Sequence, residues 1–125
     1  MEEFKHGDIT KVIIGGGIAV HDFIGPGYPE VVYQRCLAIE LTKRGLSFSQ
    51  QSEKTIYYDG IFVGSRKLDF LVEEKVIVEI KATSDVDAAH MSQVLNYLQI
   101  FKIEVALLLN FGRTSLQIKR YVRHR

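Results

Sequence analysis

The sequence predicts an α/β or α+β fold in which helices pack on a β-sheet. Hydrophobic residues first recur with helical spacing in two segments, then mark several short strands, and then mark a third helix followed by two last strands. The predicted order of elements is α-α-β-β-β-β-α-β-β. A chain of 125 residues, 46% of them hydrophobic, is long enough for one core and too short for two, so residues 1–125 should form a single domain.

Each predicted helix is marked by turn or capping residues at one end. The first spans Ile9 to about Ile24, has apolar residues on nearly every side, and should be mostly buried before it ends at Gly25-Pro26-Gly27. The second opens near Pro29 and runs to about Arg44. The third follows Ser84-x-x-Asp87, which resembles a capping box, and reaches about Phe101.

The strand-like segments are short runs of β-branched and aromatic residues between turn signals. They are Ser47 to Gln51, Thr55 to Tyr58, Ile61 to Val63, Lys67 to Val72, Val76 to Ala82, Val105 to Asn110, and Ser115 to Val122. Asp59-Gly60 is a strong hairpin signal. The polar turn Glu73-Glu74-Lys75 predicts a second antiparallel hairpin between the segments on either side of it.

Composition excludes several classes of protein. A formal net charge of +1 lacks the basic excess of a general nucleic-acid coat, although it neither suggests nor excludes a DNA partner. The single Cys36 cannot form an internal disulfide, and no signal sequence or apolar run of membrane-spanning length is expected. We therefore expect a cytoplasmic protein with no membrane partner.

Three consecutive glycines, Gly15 to Gly17, give the first helix a superficial likeness to a dinucleotide-binding turn. That fingerprint needs a third small residue where Val20 stands and a helix that continues well past the turn. The glycines are better explained by another backbone packing closely against the helix. No nucleotide cofactor is expected.

Charged residues interrupt the otherwise apolar segment Val76 to Ala82. Because side chains alternate along a strand, Glu79 and Lys81 share one face while the valines and Ile80 share the other. A three-residue turn at 73–75 places Asp69 opposite Glu79, with their Cβ atoms about 5 Å apart. Two carboxylates this close repel, so one takes up a proton or both share a divalent cation.

The ordinary alternative is that these charges lie on the solvated face of a sheet. Two helices argue against it. The apolar stripe of the second helix extends back to Glu30 at helical spacing, which places a third carboxylate on the side turned toward the sheet. The third helix has a polar side of its own, made of His90, Gln93 and Tyr97.

These residue types suit phosphodiester hydrolysis. Glu30, Asp69 and Glu79 supply hard oxygen ligands for magnesium or manganese. Lys81 is placed to hold or deprotonate an attacking water and to stabilise the charge that develops on the phosphate.

The series Asp69, then Glu79-Ile80-Lys81, resembles the PD-(D/E)XK nuclease superfamily, with Glu30 in the place of its early helical acid. The segment from Gly27 to Tyr33 fits the pattern GxxExxY, and the chain resembles GxxExxY proteins from about Ile9 to the last strand. Two positions depart from the pattern: Leu68 replaces the proline that names the superfamily, and Lys67 stands where relatives often have arginine.

The resemblance implies a restriction-endonuclease-like core, a mixed β-sheet flanked by helices. It implies metal ligation by Glu30, Asp69, Glu79 and the backbone carbonyl of Ile80, and catalysis by the same three acids with Lys81. Gln93, His90 and Tyr97 would be accessory residues.

Two functions from different classes remain open on the sequence alone. The first is a Mg²⁺- or Mn²⁺-dependent nuclease acting on nucleic acid, with DNA favoured over RNA. The second is a catalytically silent binding or regulatory module that keeps the nuclease fold and works with a partner. A homodimer or a larger protein partner would supply the positive surface that the near-neutral chain lacks.

Overall fold

Three helices and seven strands lie within residues 5–123, the part of the chain that this computed structural model describes. The helices are α1 (Gly7–Ile24), α2 (Glu30–Lys43) and α3 (Ala88–Phe101). The strands are β1 (Phe48–Gln50), β2 (Glu53–Tyr58), β3 (Ile61–Lys67), β4 (Phe70–Val72), β5 (Val76–Lys81), β6 (Val105–Asn110) and β7 (Gln117–Val122). No helix in this range combines the length and hydrophobicity needed to cross a bilayer.

Five strands form the main sheet in the order β1-β4-β5-β6-β7. Strands β5 and β6 are parallel and are connected through α3, while the other neighbouring pairs are antiparallel. Strands β2 and β3 form a separate two-stranded antiparallel sheet, which we call the ribbon. The predicted α/β class, a mixed sheet flanked by helices, is confirmed.

Five strands precede α3, as many as the strand-like segments of the sequence but one more than the predicted order of elements. The segment predicted as one strand, Lys67 to Val72, divides between the two sheets. Lys67 ends β3 in the ribbon, and Phe70 begins β4 in the main sheet. The two residues between them leave the strand conformation, and Leu68 is fully buried under α3. The chain changes sheets at Asp69.

Each face of the main sheet has its own core. Val76, Val78 and Ile80 of β5 belong to the core beneath α1 and α2. Ile77 belongs to the opposite core beneath α3. Because helices cover both faces, every residue of β5 from 76 to 80 is buried, Glu79 included. The face that carries Glu79 is therefore not the solvated face of the sheet.

The glycines of α1 lie where the helix meets its neighbours. A Cβ atom on Gly16 would lie 3.3 Å from the Cβ of Glu40 on α2, and one on Gly17 would lie 3.2 Å from a methyl of Leu109 on β6. Close packing therefore explains the glycines, although the atoms that pack against them belong to side chains and not, as expected, to another backbone. The expectation that α1 is mostly buried is wrong for its outer side, where Phe23 is 89% exposed.

Helix α3 begins later than its predicted cap. Asp87 has an extended backbone and its side chain accepts the N–H of His90, while Nδ1 of His90 accepts the N–H of Asp87. This reciprocal capping box replaces the predicted one at Ser84-x-x-Asp87, because Asp87 is the last non-helical residue and satisfies an orphan amide of the first turn.

Gly112, just after β6, generates the first prediction. A Cβ atom there would overlap the backbone N, C and O atoms of Thr83. Because backbone atoms cannot rotate away, we expect Gly112→Ala to lower the free energy of unfolding by about 2 kcal/mol or more, measured by urea denaturation.

The matched control is Gly64→Ala in the ribbon, where no atom lies within 4 Å of the added Cβ. That change should stay within about 0.5 kcal/mol. Equal losses at the two positions would contradict the packing explanation.

Candidate active site

Asp69 and Glu79 meet at the edge of the hairpin between β4 and β5. The hairpin pairs Val72 with Val76, which confirms the predicted register. Asp69 lies just outside the strand ladder, where side-chain oxygens accept the backbone amides: the Asp69 N–H donates to Glu79 Oε2 (2.9 Å), and the Ile80 N–H donates to Asp69 Oδ2 (2.8 Å). The two carboxyl groups are thus brought together by backbone hydrogen bonds.

Both carboxyl groups have raised pKa values. Burial, and then the negative charge of Asp69, raises the pKa of Glu79 to about 8, although the Asp69 N–H and Lys81 oppose the shift. Burial also raises the pKa of Asp69, against the hydrogen bond from Ile80. Glu79 is 4% exposed and lies deeper than Asp69, so we assign the proton of the metal-free pair to Glu79.

Tyr33 fixes the loop that leads into α2. Its buried hydroxyl donates to the Gly25 carbonyl oxygen (2.6 Å) and accepts the Tyr28 N–H (3.3 Å). Its ring stacks on Phe111, with centroids 4.5 Å apart. These contacts give the tyrosine of the pattern GxxExxY a structural role, since they set where the helix begins and therefore where Glu30 lies.

Glu30 is the first residue of α2 and is exposed. Its charge contributes to the raised pKa values of both Asp69 and Glu79, which places it near the pair. Within residues 5–123, however, no three His, Cys, Asp or Glu side chains lie close enough together to hold one ion. The structure therefore does not bring Glu30 into a three-carboxylate cluster, and its role as a ligand stays a prediction.

Gln34 is a site residue that sequence reasoning missed. It lies one helical turn after Glu30, and its Nε2 donates to Asp69 Oδ1 (3.3 Å). Its position four residues after Glu30 places it on the same side of the helix and could have indicated it. A glutamine in a helix does not by itself indicate a functional site.

Helix α3 contributes Gln93 and Tyr97 to the site. Lys81 Nζ donates to Gln93 Oε1 (3.3 Å), which orients the ammonium group. Tyr97 is buried, and burial followed by the charge of Glu79 raises its pKa. The predicted accessory residue His90 instead caps the first turn of the helix.

Asn110 supports the end of β5 from the neighbouring strand. It is fully buried and pairs with Lys81 in the β5–β6 register. Its Oδ1 accepts the N–H groups of Thr83 and Gly112, and its Nδ2 donates to the Thr83 carbonyl oxygen and to Gln117 Oε1, all at 2.9 to 3.1 Å. This fully satisfied amide fixes the backbone that follows Lys81. No sequence pattern indicates that role.

A model of the PD-(D/E)XK nuclease superfamily matches residues 7–121, nearly the whole chain. The chain belongs to this superfamily. Membership supports a nuclease-type function and nucleic-acid binding, and nucleases of the superfamily generally use divalent metal ions.

The fold also resembles that of a solved structure. The crystal structure of SSO0001 matches with a TM-score of 0.53 and 13% sequence identity, over 97% of this chain and 81% of SSO0001. At that identity the likeness concerns the fold alone. No curated protein matches the chain.

The donor set of this PD-(D/E)XK protein fits a divalent cation. Asp69 and Glu79 offer adjacent hard oxygens, and a cation between them would favour their ionised forms, against the burial and the nearby negative charges that raise both pKa values. Water, substrate oxygens and backbone oxygens would complete the coordination. Ile80 contacts Asp69 through its amide N–H, and its carbonyl oxygen as a ligand stays a prediction.

The raised pKa of Glu79 makes stability depend on pH in the metal-free protein. The unfolded pKa is 4.5 and the folded pKa is about 8, so between these values the folded state binds a proton that the unfolded state has lost. Stability should therefore fall as pH rises from about 5 to about 8, by at most about 1.4 kcal/mol per pH unit.

Urea denaturation in EDTA across this range measures the slope, and Glu79→Gln should remove most of it. Glu74→Gln, in the exposed turn between β4 and β5, is the control and should keep the slope. Parallel curves for the original protein and Glu79→Gln would show that Glu79 does not hold the proton.

Proposed function

We propose that this protein is a divalent-metal-dependent nuclease that hydrolyses phosphodiester bonds in DNA. The observation that carries the proposal is the pairing of Asp69, which is partly buried, with the buried Glu79, and Lys81 lies one side chain further along the same strand face. Two adjacent carboxyl groups with raised pKa values add nothing to the stability of a core, whereas a metal-dependent hydrolase requires them.

Asp69 and Glu79 would hold Mg²⁺ or Mn²⁺, with Glu30 and the Ile80 carbonyl oxygen as further ligands. A divalent cation there supplies Lewis-acid polarisation of the scissile phosphate. Burial of Glu79 supports this assignment, because a low-dielectric site strengthens every charge interaction with the phosphate.

Lys81 would position the attacking water and take part in its deprotonation. Its hydrogen bond to Gln93 supports this role, because a long flexible lysine is effective only when its ammonium group is held in place. Lys81 would also stabilise the negative charge that develops on the phosphate oxygens.

DNA rather than RNA is the sequence-based expectation, and the panel of substrates compared below tests it. Two observations favour the second candidate, a catalytically silent nuclease-fold module that acts with a partner. Glu30 does not complete a three-carboxylate cluster within residues 5–123, and the chain carries a net charge of only +1. Cleavage and metal binding measured on the same variants separate the two candidates.

We expect Lys81→Ala to reduce cleavage by at least about 100-fold while Mg²⁺ binding is retained, because lysine acts on water and phosphate and not on the ion. We expect Glu79→Gln to lose both cleavage and Mg²⁺ binding. Gel assays on single-stranded, double-stranded and branched DNA and on RNA, with Mg²⁺ or Mn²⁺, measure cleavage, and calorimetry measures binding.

Lys75→Ala, in the exposed turn before β5, is the control and should change neither property. Metal binding without cleavage of any substrate would favour the silent module. Absence of metal binding in the unaltered protein would refute the proposed metal site.

Glu30 has a prediction of its own. Because its charge acts on both members of the pair, Glu30→Gln should weaken Mg²⁺ binding by about 10-fold, measured by calorimetry beside Glu74→Gln. Unchanged affinity in Glu30→Gln would remove Glu30 from the set of metal ligands.

A further inference from the structure

A polar groove lies between the ribbon and α3, beside the catalytic residues. It has a volume of about 540 Å³. Its walls come from the end of β3 and from one side of α3. The lining residues are Ser65, Arg66, Lys67, Ala89, Ser92, Gln93, Asn96 and Tyr97.

The lining of the groove is positively charged. Arg66 and Lys67 are exposed cations, and none of the described residues that line the groove carries a carboxylate. One acid adjoins the lining: Glu53 on β2 pairs with Lys67, and its Oε2 accepts a hydrogen bond from the hydroxyl of Ser65 (3.1 Å). Arg66 donates from Nη1 to the Ser65 carbonyl oxygen (2.9 Å) and forms no ion pair within residues 5–123. Lys54 lies directly opposite it on β2, which adds a third cation at the base of the ribbon. Phosphate groups complement such a surface.

Two lining residues connect the groove to the catalytic residues. Gln93 accepts the hydrogen bond from Lys81, so one side chain belongs to both places. Tyr97 also lines the groove, and its pKa responds to the charges of Glu79 on one side and Arg66 on the other. The groove therefore adjoins the proposed catalytic residues.

The outer end of the ribbon is apolar and exposed. Tyr57 and Phe62 are cross-strand partners whose rings lie edge to face, 6.2 Å apart, and Tyr58 is 77% exposed. A groove with cations for phosphates, together with exposed rings for base stacking further along the same ribbon, is typical of proteins that bind single strands, whose bases are free to stack on protein.

From these observations we infer that the groove and the ribbon bind a single-stranded segment of DNA next to the scissile phosphate. Arg66 and Lys67 contact its phosphates, and the exposed rings of the ribbon stack on its bases. The inference rests on the proposed nuclease function for the identity of the strand, but strand binding is measured without cleavage.

Fluorescence anisotropy in EDTA tests the inference, with a labelled oligothymidine of about 20 nucleotides as the probe and a duplex of the same length as the competitor. The unaltered protein should bind the single strand at least about fivefold more tightly than the duplex. Arg66→Ala should weaken binding by about fivefold or more and lower the salt slope by about 0.7, the value for one contact to a single-stranded phosphate.

Arg35→Ala is the matched control, because Arg35 is exposed on α2 and does not line the groove. It should leave affinity and salt slope unchanged. The double variant Tyr58→Ala with Phe62→Ala should weaken binding by at least about fivefold without changing the salt slope, since stacking releases no counterions. Circular dichroism confirms that each variant is folded.

Three outcomes would overturn the inference. The first is equal affinity for duplex and single-stranded DNA. The second is an Arg66→Ala variant that binds the single strand like Arg35→Ala. The third is a Tyr58→Ala, Phe62→Ala variant whose molecular mass in sedimentation changes while its affinity for the single strand does not. The last would assign the ribbon to contact with a second copy of the chain. If the variants bind the single strand as expected but no substrate is cleaved in Mg²⁺, the nuclease proposal is refuted. Binding of single-stranded DNA by the groove and the ribbon would still stand.

Discussion

The close pair of Asp69 and Glu79 is the constraint on which the rest of the structure depends. Burial opposes ionisation of each carboxyl group, and nearby negative charges, that of Asp69 on Glu79 and that of Glu30 on both, oppose it again. The fold tolerates the pair because the amides of Asp69 and Ile80 donate to the carboxyl oxygens at the point where the strand ladder ends. The same contacts fix the positions of the two carboxyl groups that we propose as metal ligands.

Strand β5 can carry Glu79 and Lys81 because neighbouring elements bury its apolar residues and satisfy the polar groups around it. Its apolar residues fill one core directly, while α3 covers the face that carries Glu79 and supplies Gln93 to Lys81. Asn110 satisfies four hydrogen bonds just beyond Lys81 and fixes the backbone there. A charged side chain in a protein interior keeps one defined position only when such neighbours exclude its other conformations.

The parts of the site that could be predicted from the sequence follow simple periodicities. The alternation in β5 and the turn at 73–75 fix the hairpin register, and helical spacing puts Glu30 near the pair. The change of sheets at Asp69 could not be predicted, because its bend depends on hydrogen bonds to residues ten and eleven positions away. Gln34 and Asn110 were missed for a related reason: neutral amides satisfy partners that only the folded chain brings near them.

The distribution of charge matters more here than its sum. A net charge of +1 is a weak argument for any nucleic-acid partner, but the charges are segregated in the fold. The acids that act on one another, Asp69, Glu79 and Glu30, lie at the end of the hairpin and the start of α2, while Arg66 and Lys67 line the adjacent groove. A metal ion between Asp69 and Glu79 would reduce the negative charge beside the groove. Metal binding would then favour strand binding in the same protein, because the substrate phosphates would meet less repulsion.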